Sequence, residues 1–122
     1  MVHYPLKTTQ SEWTDIDQAQ ARAIALKYSN RVILVLHRGG EATFPLNRRK
    51  YVCPPDMTVG GVLILIRRNT TALDPTTTIF FFMQRTGTLL RTGQLLSECQ
   101  KEHADKDNVL HIVYSVENAF GG

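Results

Sequence analysis

Val32-Ile33-Leu34-Val35-Leu36 is an unbroken apolar run, largely β-branched, and it is followed by the turn signal Gly39-Gly40. So short a run, rich in branched side chains, reads as a strand buried on both faces. Upstream, from Ser11 to Tyr28, the apolar positions Trp13, Ile16, Ala19, Ala23 and Ile24 recur at helical spacings without Gly or Pro. This predicts an amphipathic helix, opened by a capping box of Thr14 with Asp17 and stopped near Ser29-Asn30. Downstream, Arg49 to Cys53 predicts a shorter strand, halted where Pro54-Pro55 offers no amide to a ladder.

Further along, Asp56 is placed to cap a helix whose inward face is Val59, Leu63 and Ile66, flanked by Met57, Val62 and Leu65, with Arg67-Arg68 complementing its C-terminal dipole. Gly60-Gly61 in its first turns costs about 1 kcal/mol per residue relative to alanine, so close packing is expected there. Ile79 to Met83 predicts another doubly buried strand, Gln94 to His103 a short helix, and Leu110 to Tyr114 the last strand. Two strands, a long helix and two further strands is the order of an α+β, ubiquitin-like β-grasp domain: a four-stranded mixed sheet on a central helix. Strands apolar on both sides need a second cover, and the N-terminal helix with Trp13, Ile16 and Ile24 is the candidate. The expected division is a helical extension over 1–28, a core over 29–116 and a flexible tail over 117–122, all in one domain.

The composition fits that reading. The chain has 122 residues, 43% hydrophobic and 20% charged, and a net charge of +3. That length suits one compact domain, and so small a positive balance is not a nucleic-acid binder's field. Cys53 and Cys99 show no paired spacing, which argues against a disulfide framework or zinc site and for a reducing compartment. The opening residues lack a signal-like apolar stretch and no apolar run approaches membrane-span length, so a cytoplasmic protein is expected.

Catalytic patterns are absent. His3, His37, His103 and His111 are scattered without ligand spacing, and Glu102, His103, Asp105 and Asp107 read as a solvated helix end and loop. Cys53 and Cys99 read as small buried residues. No enzyme, metal or cofactor is expected. The end of the chain is more telling: Gly121-Gly122 carries no side chains and fits a narrow active-site groove. On its own the dipeptide reads as an ordinary frayed terminus; joined to a β-grasp order it reads as a modifier's tail, whose carboxylate is activated, passed to enzyme thiols and transferred to an amine. The strand Arg49-Lys50-Tyr51-Val52-Cys53, if it is the sheet edge, can take an extended peptide as an added strand, with Arg48, Arg49 and Lys50 attracting acidic residues. The same basic run also suits a solvated edge that deters aggregation.

Lys27 to Val32, Lys50 to Gly60 (Lys-Tyr-Val-Cys-Pro-Pro-Asp-Met-Thr-Val-Gly), Ile66-Arg67-Arg68, Ile79 to Phe82, and Glu102-His103 with Tyr114 to Gly121 resemble the lipid-conjugated ubiquitin-like modifiers of autophagy, the microtubule-associated light chain and GABA-receptor-associated protein type. The resemblance spans about residues 20–121. It implies a C-terminal glycine joined to phosphatidylethanolamine on autophagosomal membranes by activating and conjugating enzymes, with cytoplasmic and membrane-anchored pools. Gly121, after Phe120, occupies the family's glycine position, and Gly122 is then removed by a processing cysteine protease, unless it is itself the conjugated residue. The resemblance further implies docking of cargo receptors through aromatic-x-x-aliphatic motifs. Their aromatic pocket maps to Ile24, Ile33, Val35, Lys50, Val52 and Val109, and their aliphatic pocket to Tyr51, Cys53, Pro54, Met57, Val62 and Leu65, with Arg31 nearby. Ile33 replaces a usual proline, Val109 and Val62 replace common phenylalanines, and Asn69 replaces a basic residue, so roomier, weaker pockets are expected. Attachment to another protein, or peptide binding without conjugation, are the alternative readings.

Overall fold

The computed structural model describes residues 14–40, 44–46, 48–70, 73–74 and 76–116. Its elements are α1 (Asp15–Lys27), β1 (Val32–Arg38), β2 (Lys50–Cys53), α2 (Val59–Asn69), β3 (Phe80–Met83), α3 (Leu96–His103) and β4 (Val109–Ser115). The sheet order is β2-β1-β4-β3, with β1 and β4 parallel in the middle and antiparallel pairs outside. This is the ubiquitin-like β-grasp arrangement expected from the element order.

Strand alternation divides the core between two faces. Leu34, Leu36, Tyr51, Cys53, Phe81, Met83, Leu110, Ile112 and Tyr114 point to one side, where Val59, Val62 and Ile66 of α2 and Leu96 and Cys99 of α3 cover them. Ile33, Val35 and Val109 point to the other, beneath Ala21, Ala25 and Ile24 of α1. β1 ends where Gly40 turns at φ 77°, a left-handed conformation that glycine adopts without a steric cost.

Helix starts and faces account for two departures from expectation. The Thr14–Asp17 capping box forms: Asp17 N donates to Thr14 Oγ1 at 3.2 Å and Thr14 N to the Asp17 carboxylate at 3.0 Å. Yet Ile16, expected on the covering face, is 71% exposed, and Ala19 and Ala23 are exposed with it. The smaller residues Ala21 and Ala25 let the α1 backbone approach the sheet, so they take the inner face. Trp13 and the rest of 1–13 lie outside the described residues. In α2 the cap is Thr58, whose hydroxyl accepts from Gly61 N at 3.1 Å, and not Asp56. The helix cannot begin sooner, because Met57 closes a turn on the Pro54 carbonyl and its own carbonyl accepts from Leu96 N.

Candidate functional site

Among the described residues β2 forms one edge of the sheet, paired with β1 in the register Val32↔Cys53, Ile33↔Val52, Leu34↔Tyr51 and Val35↔Lys50. Its length is limited by Pro54-Pro55. Alternation buries Tyr51 and Cys53 towards α2 and leaves Lys50 and Val52 on the α1 side, Val52 being 46% exposed. Beside this edge lies a cavity of about 360 Å³ lined by Arg48, Lys50, Tyr51, Val52, Cys53, Met57, Leu65 and Asn69. Apolar walls with a basic rim suit an aliphatic side chain on an acidic, extended peptide.

The residues expected to form an aliphatic pocket therefore divide. Tyr51, Cys53, Met57 and Leu65 line this cavity; Val62 is wholly buried in the core, and neither Pro54 nor Arg31 lines it. Of the residues expected to form an aromatic pocket, Ile24, Ile33, Val35 and Val109 cluster together and are closed over, while Lys50 is half-buried and Val52 exposed beside them. Ile33, Val35 and Val109 are at most 1% exposed under Ala21, Ile24 and Ala25. The α1 residues pack directly on these small side chains. Lys50 Nζ donates to Gln20 Oε1 at 3.4 Å, tying β2 to α1. Phe120, Gly121 and Gly122 lie outside the described residues.

Neither cysteine is a nucleophile in waiting. Burial pushes the Cys53 thiol up to about 11 against the opposing influence of Arg31, and burial, then Glu102 and Glu98, does the same for Cys99. Among the described residues no His, Cys, Asp or Glu group could hold a metal ion.

The expected solvated cluster near residue 105 is more structured than the sequence suggested. Asp105 Oδ1 accepts from Asp107 N and Val109 N, both at 2.9 Å, shaping the turn into β4, where Asn108 takes φ 64°. Gln18 of α1 donates to the carboxylates of both Asp105 and Asp107 at 2.9 Å. Asp105 Oδ2 also meets His111 Nε2 at 3.0 Å, and His111 Nδ1 meets His37 Nε2 at 2.9 Å. An ionised carboxylate only accepts, so His111 Nε2 donates to it, and the bare Nδ1 of a neutral His111 accepts from His37. Burial, then the His111 and Arg49 charges, lowers His37 to about 4. Burial would raise Asp105, but hydrogen bonds from Val109, Gln18, Asp107 and His111 outweigh it and hold the carboxyl below its ordinary value. No sequence pattern announces this line, because the β1–β4 register, Val35↔His111 and His37↔Val113, is what makes the two histidines diagonal neighbours on one face.

A family model described as "Autophagy protein Atg8 ubiquitin like" matches residues 17–121. Autophagy-related protein 8 of Kluyveromyces marxianus is 38% identical over 106 residues, covering 86% of this chain and 83% of that protein. The Saccharomyces cerevisiae protein of the same name is 36% identical, covering 85% of this chain and 87% of its own length. In fold, the chain is similar to Trypanosoma brucei ATG8, with a TM-score of 0.71 at 20% identity over 88% of this chain and 95% of that one. It is also similar to Plasmodium falciparum Atg8 solved in complex with a Plasmodium falciparum Atg3 peptide, with a TM-score of 0.67 at 22% identity over 86% and 93%. The chain belongs to the Atg8 family of autophagy ubiquitin-like proteins, whose members are modifiers and not enzymes.

Proposed function

We propose that the chain is a modifier conjugated through Gly121 to phosphatidylethanolamine on autophagosomal membranes, after a cysteine protease removes Gly122, and that its β2 edge docks cargo receptors and adaptors as an added strand. The observation that carries the docking is the open β2 edge beside the cavity walled by Tyr51, Cys53, Met57 and Leu65 and rimmed by Arg48 and Lys50. Membership of the Atg8 family supports the conjugation, and the family match ends at Gly121, which favours that glycine over Gly122. The Atg3 peptide held by the Plasmodium falciparum protein supports a conjugation enzyme as one of the partners.

In this reading the peptide's main chain pairs with β2 and its aliphatic side chain fills the cavity. Its aromatic side chain enters between Lys50, Val52 and Ile24, above Ile33, Val35 and Val109. Entry requires Lys50 to leave Gln20 and α1 to rise from the sheet. Lipidation then supplies two acyl chains, which anchor stably where one is marginal.

Incubation with the family's processing cysteine protease, activating and conjugating enzymes and phosphatidylethanolamine vesicles, followed by intact-mass analysis, tests the conjugation. The expected product is a phosphatidylethanolamine adduct on Gly121 without Gly122. A product with neither glycine modified overturns the reading, and an isopeptide-linked lysine replaces it with attachment to protein. For the docking, Lys50→Glu weakens an acidic aromatic-x-x-aliphatic peptide by about 5-fold in calorimetric titration, as expected for reversing one rim charge. Unchanged affinity counts against the β2 edge.

A further inference from the structure

α1 carries a second apolar line, on the side its packing leaves out. Ile16, Ala19, Ala23 and Leu26 follow one another at spacings of three, four and three, and all are exposed, Ile16 at 71% and Leu26 at 77%. At 3.6 residues per turn they fall within about 80° of the helix circumference, opposite buried Ala21 and Ala25. On the helical projection Asp15 and then Arg22 border one side of the line, Asp15 at its first turn, and Lys27, with Gln20, borders the other; Asp15, Arg22 and Lys27 are all exposed. The acids of the helix, Asp15 and Asp17, sit in its first turn, and the Asp17 carboxylate is engaged by Thr14.

We propose that this outer face of α1 lies against an anionic lipid surface, with Ile16 and Leu26 entering the boundary between headgroups and acyl chains and Arg22 and Lys27 meeting lipid phosphates. The proposal rests on the conjugation reading above for the tether that brings the chain to a bilayer. An apolar line with a cation on either side, its one acidic neighbour Asp15 confined to the first turn, matches the layering of an anionic membrane, apolar below and negative at the surface. Size argues against a second copy of the chain as the occupant. Ten residues of helix give a strip roughly 15 Å long and roughly 10 Å wide, about 150 Å² where a stable dimer needs about 800 Å² from each partner. A lipid surface has no such threshold once the protein is tethered. Even a myristoyl chain holds a free protein only marginally, so two aliphatic side chains and two cations engage through the high local concentration that a tether imposes. The unconjugated chain then stays largely free, and the conjugated chain lies on the membrane by α1.

The test uses the full chain with an environment-sensitive fluorophore on Ala23→Cys, in the middle of the line. Cys53 and Cys99 are buried with thiols pushed up to about 11, so labelling favours the introduced cysteine. A C-terminal hexahistidine tag tethers the protein to nickel-chelating lipid in phosphatidylcholine vesicles with or without phosphatidylserine. This tether needs no conjugating enzyme, so the result stands apart from success or failure of the lipidation assay. The expected result is a blue shift and protection from iodide quenching on tethered phosphatidylserine vesicles, less on phosphatidylcholine alone, and loss of both in Ile16→Asp and in Arg22→Glu/Lys27→Glu. Emission on tethered phosphatidylserine vesicles identical to that of the free protein overturns the proposal. So does a shift that survives those substitutions, one that rises with protein concentration without vesicles and marks self-association, or one already complete in the free chain and marking cover by the chain's own residues 1–13.

Discussion

The two faces of the sheet are sealed by different means. Towards α2 and α3 the strands present Leu34, Phe81, Leu110, Ile112 and Tyr114, and the helices answer with Val59, Val62, Ile66 and Leu96, a broad and wholly apolar layer. Towards α1 the layer is thin. Two alanines and Ile24 lie on Ile33, Val35 and Val109, and beside them the hydrogen-bonded line Gln18–Asp105–His111–His37 joins helix to sheet. Large side chains in a dense layer gain stability from bulk and lose it when volume is removed. A layer of alanines gains it from close approach and loses it when volume is added. The proposed peptide edge, β2, stands where the two layers meet, and it inherits a fixed wall from one and a movable wall from the other.

Opposite substitutions separate the two regimes. Ile66→Ala, at a position with no exposure, leaves a cavity in the dense layer and costs about 2–5 kcal/mol in urea denaturation. Ala21→Leu, equally buried, overfills the thin layer and costs about 1–3 kcal/mol. If Ala21→Leu instead leaves stability unchanged, α1 does not sit as closely as its alanines indicate and the contrast between the faces is lost.

Acid sharpens the same contrast, because the thiols of the dense layer are raised far from the acid range whereas His37, on the α1 side, is shifted within it. His37 is lowered from 6.5 to about 4, mainly by burial, so between those values the unfolded chain binds a proton that the folded chain refuses. Stability is therefore complete above about pH 6.5 and falls as pH drops towards 4, by on the order of 3 kcal/mol. Asp105, held below its ordinary value, adds to the loss only at still lower pH. His37→Gln keeps a donor towards His111 and removes the titration, so its denaturation midpoint is expected to stay nearly level from pH 6.5 to 4.5. A slope equal to that of the unsubstituted chain would place the acid sensitivity elsewhere.

Sequence patterns reveal the dense face far better than the thin one. Val32 to Leu36 and Ile79 to Met83 announce themselves because strands buried on both sides leave no polar alternation. α1 contains two helix-periodic apolar lines, Ile16-Ala19-Ala23-Leu26 and Ala21-Ile24-Ala25, and the line with the larger residues attracts the inward reading although the structure turns it out. Approach distance decides between them, and periodicity carries no distance. For the same reason residues close in sequence, Lys50 to Cys53 with Met57, can be read together where they line one cavity, whereas the histidine pair depends on a parallel register between strands more than 70 residues apart. The resemblance groups Ile24, Ile33, Val35 and Val109, which pack against one another, but how far α1 descends onto them is not written in their spacing.

The smallest expected effects lie at Gly60 and Gly61, adjacent residues of α2 that differ in what a methyl group would meet. At Gly61 an added Cβ comes within 2.9 Å of Met57 Cγ, an unbranched, partly buried side chain that can turn aside. At Gly60 it comes within 3.2 Å of the Thr92 carbonyl oxygen, which already accepts a hydrogen bond from Gly60 N at 2.9 Å and cannot retreat without weakening it. Helix propensity favours alanine by about 1 kcal/mol at either position. Gly61→Ala is therefore expected to raise the thermal midpoint slightly, and Gly60→Ala to leave it level or lower it. Because Met57 lines the β2 cavity, the stabilising substitution also reshapes that wall, so Gly61→Ala alters affinity for an aromatic-x-x-aliphatic peptide while Gly60→Ala does not. Equal shifts in midpoint and in affinity for the two variants would mean that Met57 does not couple the start of α2 to the cavity, leaving the wall on the dense side as rigid as the core behind it.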